Sequence, residues 1–351
     1  MTHALRKHVN FQNVSFQPST VCNINKEEFL SNCNNKQKII FLIGIHLTRH
    51  GCRVVHSKGD ADVDIAKTAV VASSSSTVTV IGEDTDILVL LIYWCCVSKH
   101  ALFMRSDIKR TVSTKSNVVY DICAMRKSLH ADVVKCLLTL HAFTGCDTTS
   151  RIFSVGKQTA FKRLLSDEQL RSDALLFSSS NLSPNDVEVI GCRVMVQLFG
   201  GKVSDTLNTF RNRQFIGKVK SAKHYISPER LPPTASATKY HSLRTYLQIC
   251  IWKCEDANLS PSDWGWHIVN GEYLPTTTDL PAAPETLLNI MRCNCHTGCS
   301  TMRCGCRNNG LKCSAACGDC QDTGCQNTTM VMLSASDEDS DLSDDDVSLI
   351  D

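Results

Sequence analysis

The sequence predicts an α/β fold followed by a small cysteine-rich module with little regular structure. Two patterns indicate this: helix-like and strand-like segments alternate between residues 36 and 81, and nine of the twenty cysteines fall between Cys293 and Cys325. A chain of 351 residues that is 42% hydrophobic can bury a sizeable core. Its apolar runs are all shorter than the roughly 20 residues that a membrane-spanning helix needs, so we expect no membrane partner.

The alternation can be assigned element by element. It consists of a mostly buried helix over 36–50, a strand over 53–56, a helix over about 62–72 and a strand over 77–81. Strands separated by one helix favour parallel pairing with a right-handed crossover. Farther along, we predict a helix over 129–143 ended by Gly145, a strand or buried helix over 189–200, a helix over 237–253 and a tryptophan-rich hairpin or loop over 262–276.

Acidic residues follow both predicted strands. They are Asp60 and Asp62 after the first, Glu83, Asp84 and Asp86 after the second, and, after Gly145, Asp147. Because parallel sheets bind ligands beyond the carboxyl ends of their strands, we expect these acids to gather at one edge. Such oxygen ligands suit Mg²⁺ or Mn²⁺, two of which can clamp a phosphodiester during hydrolysis. A helix cap or a solvated loop is the commoner role of a single Asp-x-Asp pair.

Three segments carry these acids: GDADVDIA at 59–66, VIGEDTDILVL at 80–90 and LHAFTGCDTTS at 140–150. In this order they resemble the core of the flap-endonuclease (XPG-type) branch of the PIN-like nucleases. The resemblance implies a PIN-like parallel-sheet core and a two-metal site that cuts DNA, with the ligands Asp60, Asp62, Asp84, Asp86 and Asp147. The segment SVGKQTAFKRLL at 154–165 is similar to the family's glycine-containing hairpin, which implies DNA-backbone contacts by Gly156, Lys157 and Lys162.

The chain also departs from that family. The family's first strand with a further metal-binding Asp, and its basic helical arch, have no counterpart in residues 1–35, and the family usually has Glu at the positions of Asp60 and Asp62. Either this is a piece of a longer protein or the fold persists without efficient catalysis. Residues 171–290 resemble the stretch between a nuclease-like core and a cysteine module in mobile-element-derived proteins of animals.

The cysteine-rich segment has too few large apolar residues to fold by burial alone, so a metal must stabilise it. Its nine cysteines are Cys293, Cys295, Cys299, Cys304, Cys306, Cys313, Cys317, Cys320 and Cys325. Each Zn²⁺ takes four thiolates, so two ions would leave one cysteine unused, whereas three ions fit nine cysteines if three thiolates bridge. The alternative, a disulfide-rich knot, requires an even number of cysteines and an oxidising compartment.

This cysteine spacing resembles the CXC domain of tesmin and TSO1-like proteins. In that family the cluster binds DNA, which implies DNA contacts by Arg303, Arg307 and Lys312. Arg303 stands where the family usually has Tyr, so a base preference does not transfer. Single CXC modules also serve protein contacts, and the basic side chains can neutralise the anionic cluster itself.

Charge is divided between a basic body and an acidic tail. Residues 334–351 hold eight acids and no Lys or Arg, so the net charge of +2 becomes 37 minus 27, or +10, without them. The basic body favours a polyanionic partner, and a tail with so little apolar surface is predicted to be disordered. The basic segment 207–234 is either a nucleic-acid face or an ordinary solvated surface.

These observations divide the chain into five segments. They are a weakly patterned N-terminus (1–35), a PIN-like domain (36–170), a mixed linking region (171–290), a zinc module (291–328) and a disordered acidic tail (334–351). We predict a nuclear DNA-binding protein with zinc and with an acidic site able to cleave phosphodiesters using Mg²⁺ or Mn²⁺; RNA is an alternative partner. The competing interpretations are a catalytically inactive chromatin binder and a zinc scaffold for protein contacts.

Overall fold

The structure is a computed structural model that describes residues 25–57, 59–95, 100–106, 118–221 and 230–280, and residues 293, 295, 298–308, 310–313, 317, 320 and 325–327. The chain divides into two compact units, Met1–Asp279 and Leu280–Asp351, here called unit 1 and unit 2. The predicted acidic tail, 334–351, and most of the predicted N-terminal segment, 1–24, lie outside the described residues.

Unit 1 has an α/β architecture dominated by helices. The helices are α1 (Lys26–Ser31), α2 (Cys33–Arg49), α3 (Asp62–Ala72), α4 (Thr85–Trp94), α5 (Ile122–Ser128), α6 (Ala131–Thr144), α7 (Lys157–Ser166), α8 (Glu168–Phe177), α9 (Pro184–Leu198), α10 (Leu207–Ser221) and α11 (Ala235–Lys253). The strands are β1 (Val78–Ile81), β2 (Leu102–Arg105), β3 (Val119–Asp121), β4 (Trp266–Val269) and β5 (Glu272–Pro275). The segment over 189–200, predicted as a strand or a buried helix, is helical and belongs to α9.

The first three strands form one small mixed sheet in the order β1–β2–β3. Strand β1 is parallel to β2, with Val78 opposite Leu102 and Ile81 opposite Arg105, whereas β2 is antiparallel to β3. Helix α4 lies in the connection from β1 to β2, as a parallel pair requires. Strands β4 and β5 form a separate hairpin within the predicted tryptophan-rich segment. A purely parallel core is not confirmed, because β3 runs against β2.

The predicted strand over 53–56 is wrong, since these residues form no strand and lie beside α2. The ring of His56 stacks on Phe41 with ring centroids 4.6 Å apart. Gly44 makes room for this ring, because a Cβ at that position would lie 2.9 Å from the imidazole. The parallel pairing predicted between 53–56 and 77–81 is replaced by the pairing of β1 with β2.

Helix α2 forms as predicted but is not mostly buried. Among its residues only Asn35 and Gly44 are buried. Five of its large apolar side chains are 40–52% exposed: Ile40, Phe41, Ile43, Ile45 and Leu47. The apolar pattern predicted the helix correctly. Because apolar residues lie on several sides of this helix, the pattern does not indicate which side packs against another element.

One hydrophobic core joins the predicted PIN-like domain to the predicted linking region. It extends from α3 to β4 and includes Phe143 of α6, Phe177 of α8 and Tyr246 of α11. The first two rings meet edge to face with centroids 5.0 Å apart, and Tyr246 meets Phe177 in the same way at 6.0 Å. Trp264 and Trp266, from the predicted tryptophan-rich segment, are buried and belong to this core. The packing of unit 1 is therefore continuous across the predicted boundary at 170.

Helices α9 and α11 pack closely through small residues. A Cβ built on Gly191 of α9 would lie 2.5 Å from Ser242 Cβ and closer still to its hydroxyl. Helix α11 presents buried hydroxyls on Thr238, Ser242 and Thr245, none of which has a hydrogen-bond partner among the described residues. Their spacing of four and then three residues places them on one side of the helix. These three residues are here called the hydroxyl stripe.

Replacing Gly191 with alanine is expected to lower the free energy of unfolding by about 1–3 kcal/mol, because the added methyl group overlaps Ser242 in a packed interface. The control is Gly217→Ala in α10, where a Cβ meets nothing within 4 Å. That change should be neutral or stabilising by up to about 1 kcal/mol, since alanine favours helix. Urea unfolding followed by tryptophan fluorescence compares the two, and equal midpoints would contradict the close contact.

Unit 2 has little regular structure in its described residues, as predicted. Its described helix is α12 (Gly305–Asn308), a single turn. Eight cysteine side chains form its buried centre, and Cys295 packs against them. Across the described parts of both units, no helix combines the length and the apolar composition needed to cross a membrane.

Candidate metal centres

Two helix starts position the predicted Asp-x-Asp pairs. Asp84 is the N-cap of α4, and its carboxylate accepts a hydrogen bond from the backbone N–H of Asp86 at 2.9 Å. Asp60 accepts one from the N–H of Asp62, the first residue of α3, at 3.2 Å. Asp84 therefore acts as a cap, whereas Asp60 lies one residue before Ala61, the N-cap of α3. Capping uses one carboxylate oxygen and leaves the other available for a cation.

Asp62 shows that acids from separate loops converge. Its pKa is raised from 3.8 to about 7, first by burial and then by four nearby carboxylates, those of Asp60, Asp84, Asp86 and Asp147. These are the five acids that the resemblance assigned as ligands. The structure thus brings the end of β1, the start of α3 and the turn after α6 together at one place. Glu83 instead accepts a hydrogen bond from the Ser106 hydroxyl at 2.6 Å.

A buried histidine fixes the orientation of Asp86. Nε2 of His141 lies 2.6 Å from Asp86 Oδ1 and 3.2 Å from Lys157 Nζ. One ring nitrogen cannot donate to the carboxylate and accept from the ammonium at once, so the shorter distance assigns its proton to the bond with Asp86. Both side chains of this bond are more than nine-tenths buried. Asp86 is therefore a rigid member of the group, with the cationic Lys157 beside it.

Glycine sets the turn that carries Asp147. Gly145 ends α6 with φ of 111°, and a Cβ there would lie 2.8 Å from Arg151 Cα. The Thr149 hydroxyl donates to the Ala142 carbonyl at 2.6 Å and accepts from the Cys146 N–H at 3.1 Å, which closes the turn. Asp147 lies exposed at its tip. The predicted role of Gly145, to stop the helix and redirect Asp147, matches this geometry.

An open cavity of about 490 Å³ runs along three of the acids, Asp84, Asp86 and Asp147, and it is here called the acidic cavity. Arg151 and Lys157 also line it. Within the described ranges, every group of three or more ligand atoms lying within 4.8 Å of one another consists of cysteines. The carboxylates therefore lie near one another, but no three of their oxygens in the described residues lie as close together as the ligand atoms of a preformed metal site.

The predicted DNA-contact residues of unit 1 lie at and near the start of α7. Gly156 is the N-cap of this helix, and a Cβ there would meet nothing within 4 Å. Lys157 and Lys162 are exposed. Lys157 differs from Lys162 in that it also reaches the acidic cavity, where it contacts His141.

The cysteine cluster of unit 2 has sulfur spacing that fits a metal ion. Its Sγ–Sγ distances include 3.6 Å for Cys306–Cys317, 3.7 Å for Cys293–Cys299 and 3.8 Å for Cys304–Cys313. A tetrahedral zinc site with Zn–S bonds of about 2.3 Å has sulfurs about 3.8 Å apart, whereas a disulfide bond is about 2.05 Å long. None of the nine cysteines forms a disulfide bond. The distances favour metal binding over the disulfide alternative.

The cluster contains three overlapping groups of four cysteines that could hold a metal ion. They are Cys293, Cys299, Cys304 and Cys313; Cys293, Cys306, Cys313 and Cys317; and Cys299, Cys313, Cys320 and Cys325. Cys313 belongs to all three groups, whereas Cys293 and Cys299 each belong to two. Cys295 belongs to none of them. Eight of the nine predicted zinc ligands are thus already arranged in fours.

Two polar side chains hold the cluster together. The Arg307 guanidinium donates to the carbonyls of Cys299 at 3.0 Å and Gln326 at 3.1 Å. Asn327 is buried, and its amide donates to the Leu311 carbonyl at 2.9 Å and to Cys313 Sγ at 3.4 Å. Arg307, which was predicted to contact DNA, therefore uses its guanidinium to stabilise the fold of unit 2. The other predicted DNA contacts, Arg303 and Lys312, are exposed.

Sequence reasoning missed His141, Arg151 and Asn327. His141 stands within the quoted segment at 140–150, yet its bond to a residue 55 positions earlier has no local signal. Arg151 follows that segment directly. Asn327 lies two residues after Cys325, and a polar residue so close to a thiolate cluster is the signal that would have found it.

No protein-family model matches this chain, and no curated protein or solved structure matches it either. Its function must therefore be inferred from the acidic site and the cysteine cluster.

Proposed function

We propose that this protein binds DNA and cleaves phosphodiester bonds with divalent metal ions held by the acidic site. The observation that carries the proposal is the convergence of five carboxylates from three separate segments of unit 1. Gathering like charges in a partly buried place is unfavourable unless cations accompany them. The resemblance of the same segments to flap endonucleases supports this activity.

The five acids would hold two Mg²⁺ or Mn²⁺ ions, and such ions supply an activated water and neutralise charge on the phosphate. His141 keeps the Asp86 carboxylate in one orientation. Lys157 and Arg151 place positive charge in the wall of the acidic cavity, which would attract phosphate oxygens. The β1–α4–β2 unit supports a PIN-like core, in which β3 would be an added antiparallel edge strand.

The cysteine cluster would anchor the protein on DNA through three Zn²⁺ ions. Cys293, Cys299 and Cys313, which are shared between groups, would each bridge two ions, and Cys295 would take the position that Cys313 leaves at the third ion. Exposed Arg303 and Lys312 would meet phosphate, as the resemblance to CXC domains implies. A zinc-thiolate cluster requires a reducing compartment, and the nucleus is where we expect this DNA-binding protein.

Cleavage of labelled flap, single-stranded and duplex DNA with Mg²⁺ or Mn²⁺ tests the proposal. The Asp84→Asn/Asp86→Asn variant is expected to lose cleavage by at least about 100-fold, because two ligand charges are removed. Asparagine still caps α4 and still accepts a bond from His141, so the fold should remain. Asp132→Asn, which removes a partly exposed charge from the first turn of α6, is the control and should cleave like wild type.

A catalytically inactive DNA binder is the second candidate, and the open spacing of the carboxylates favours it. Wild type that binds DNA through an intact zinc cluster but cleaves none of the substrates would establish this candidate and reject the first. A protein that binds no DNA at low salt would reject both and leave a zinc scaffold for protein contacts.

A further inference from the structure

A second cavity of unit 1 lies beside the acidic cavity and has the opposite charge. Its volume is about 480 Å³, within the roughly 300–1,000 Å³ range of small-molecule sites. Arg151, Arg211 and Arg244 line it, and its described lining contains no acidic residue. Arg151 also lines the acidic cavity, so the two are neighbours. This second space is here called the basic cavity.

No carboxylate of the described residues pairs with these three arginines. Arg244 is only 5% exposed and donates from Nη1 to the backbone carbonyls of Gly265 and Thr276. Arg211 is half-buried and donates to the Pro232 carbonyl. Among the described residues, none of the three forms a salt bridge. Arg244 is the buried one of the three, whereas Arg151 is exposed, and a buried guanidinium without a carboxylate is costly, so the cavity suits an anion from outside.

Burial lowers the pKa of Arg244 to about 10 and also lowers the pKa of Arg211. No carboxylate offsets either shift, which agrees with the absence of salt bridges in the described part of the chain. Both groups remain charged at neutral pH. Their charge is therefore available to a ligand.

The start of α11 adds to the positive potential. Its N-cap, Thr234, and Ala237 of its first turn both line the basic cavity. A helix of 19 residues carries partial positive charge at this end. The guanidinium groups and the N-terminus of α11 together suit a phosphate group, whose oxygens accept several hydrogen bonds.

The remaining wall suits a planar aromatic group. It is formed by large apolar side chains: Ile152, Phe153, Met195, Phe199 and Leu231. Aromatic rings on such a wall stack nucleobases. His241 also lines the cavity, and its Nε2–H donates to the Phe143 carbonyl at 2.9 Å. Its Nδ1 is then an acceptor, which suits the amino group of a base.

We propose that the basic cavity binds a nucleotide, with the phosphate at the arginines and the start of α11 and the base against the apolar wall. The nucleotide is either free or the phosphorylated end of a nucleic-acid strand. This binding requires no divalent cation and does not rest on the cleavage proposed above.

Isothermal titration calorimetry on the full, zinc-loaded chain without Mg²⁺ or Mn²⁺ tests the inference. Wild type is expected to bind dAMP at least about 10-fold more tightly than deoxyadenosine, because only dAMP has the charged phosphate. Arg211→Gln should weaken dAMP binding about 10-fold for the same reason. The matched control is Arg213→Gln, which removes the same charge from the same helix but from a side chain paired with Asp205.

A second variant, Ala237→Phe, fills the cavity without removing an arginine and should also weaken dAMP binding. A 5′-phosphorylated tetranucleotide that binds more tightly than dAMP, with the same dependence on Arg211, identifies a strand end as the ligand. Tighter binding of dAMP identifies a free nucleotide. Equal affinities for dAMP and deoxyadenosine, or equal affinities of the Arg211→Gln and Arg213→Gln proteins for dAMP, would overturn the inference.

Discussion

Cys313→Ser is expected to lose most of the bound zinc and the fold of unit 2. Cys313 belongs to all three four-cysteine groups, so its loss leaves no group complete. Unit 2 has no apolar core besides its cysteines in the described residues. In such modules the free energy of zinc binding, about 10–16 kcal/mol per ion, is also the free energy of folding.

Zinc content by mass spectrometry and protease resistance of unit 2 measure this effect. Cys295→Ser is the variant with the smaller expected effect. Cys295 belongs to none of the groups, so its replacement should lower the zinc content by at most about one ion. Cys52→Ser changes an exposed free thiol of unit 1 and should leave the zinc content unchanged. Equal zinc content in the Cys313→Ser and Cys52→Ser proteins would show that the cluster does not bind metal.

Asp62→Asn is expected to stabilise the metal-free acidic site at pH 8 and to have little effect near pH 4. The folded protein holds the Asp62 proton up to about pH 7, whereas the unfolded chain releases it near 3.8. Stability conferred by wild-type Asp62 therefore falls as the pH rises through this window, and the full cost is present above it. Allowing for partial exposure, removing the charge should raise the free energy of unfolding by about 1–2 kcal/mol at pH 8.

Thermal unfolding with and without Mg²⁺ at pH 8 completes the measurement. Mg²⁺ should stabilise wild type more than Asp62→Asn, because a cation and a proton compete for the same carboxylate. Asp64→Asn is the control, since it removes the same charge from the same helix but from an exposed acid that bonds to the Ser57 hydroxyl. A pH-independent difference between wild type and Asp62→Asn would contradict the convergence of the acids.

Local patterns predicted several elements of unit 1 correctly. Helix α3, strand β1 and helix α11 each follow from apolar spacing and nearby turn residues. The segment 53–56 has a strand-like composition, but contact with Phe41 and Gly44 of α2 decides its conformation. The exposure of α2 depends on which elements pack against it, and the sequence of one helix does not contain that information.

The candidate sites were predictable to different degrees. Cysteine spacing is local, so the cluster could be predicted, but the sharing of Cys313 among three groups is visible only in three dimensions. The acids were predicted to meet at the carboxyl ends of two parallel strands, but the strand over 53–56 does not form, and Asp62 instead reaches the group from the start of α3. The basic cavity has no such signal, since Arg151, Arg211 and Arg244 come from distant segments that fold together.

The hydroxyl stripe on α11 has a consequence for how this protein can vary. Contact between α9 and α11 is limited by volume, because Gly191 faces Ser242 with no room for a methyl group. Two other buried positions of α11, Thr238 and Thr245, should tolerate changes in polarity, since their hydroxyls bond to nothing in the described structure. In a survey of all single substitutions, valine should be accepted in place of either threonine, and larger residues should be rejected. Side-chain volume at the positions named here, and not side-chain polarity, would therefore be the property that accepted substitutions must preserve.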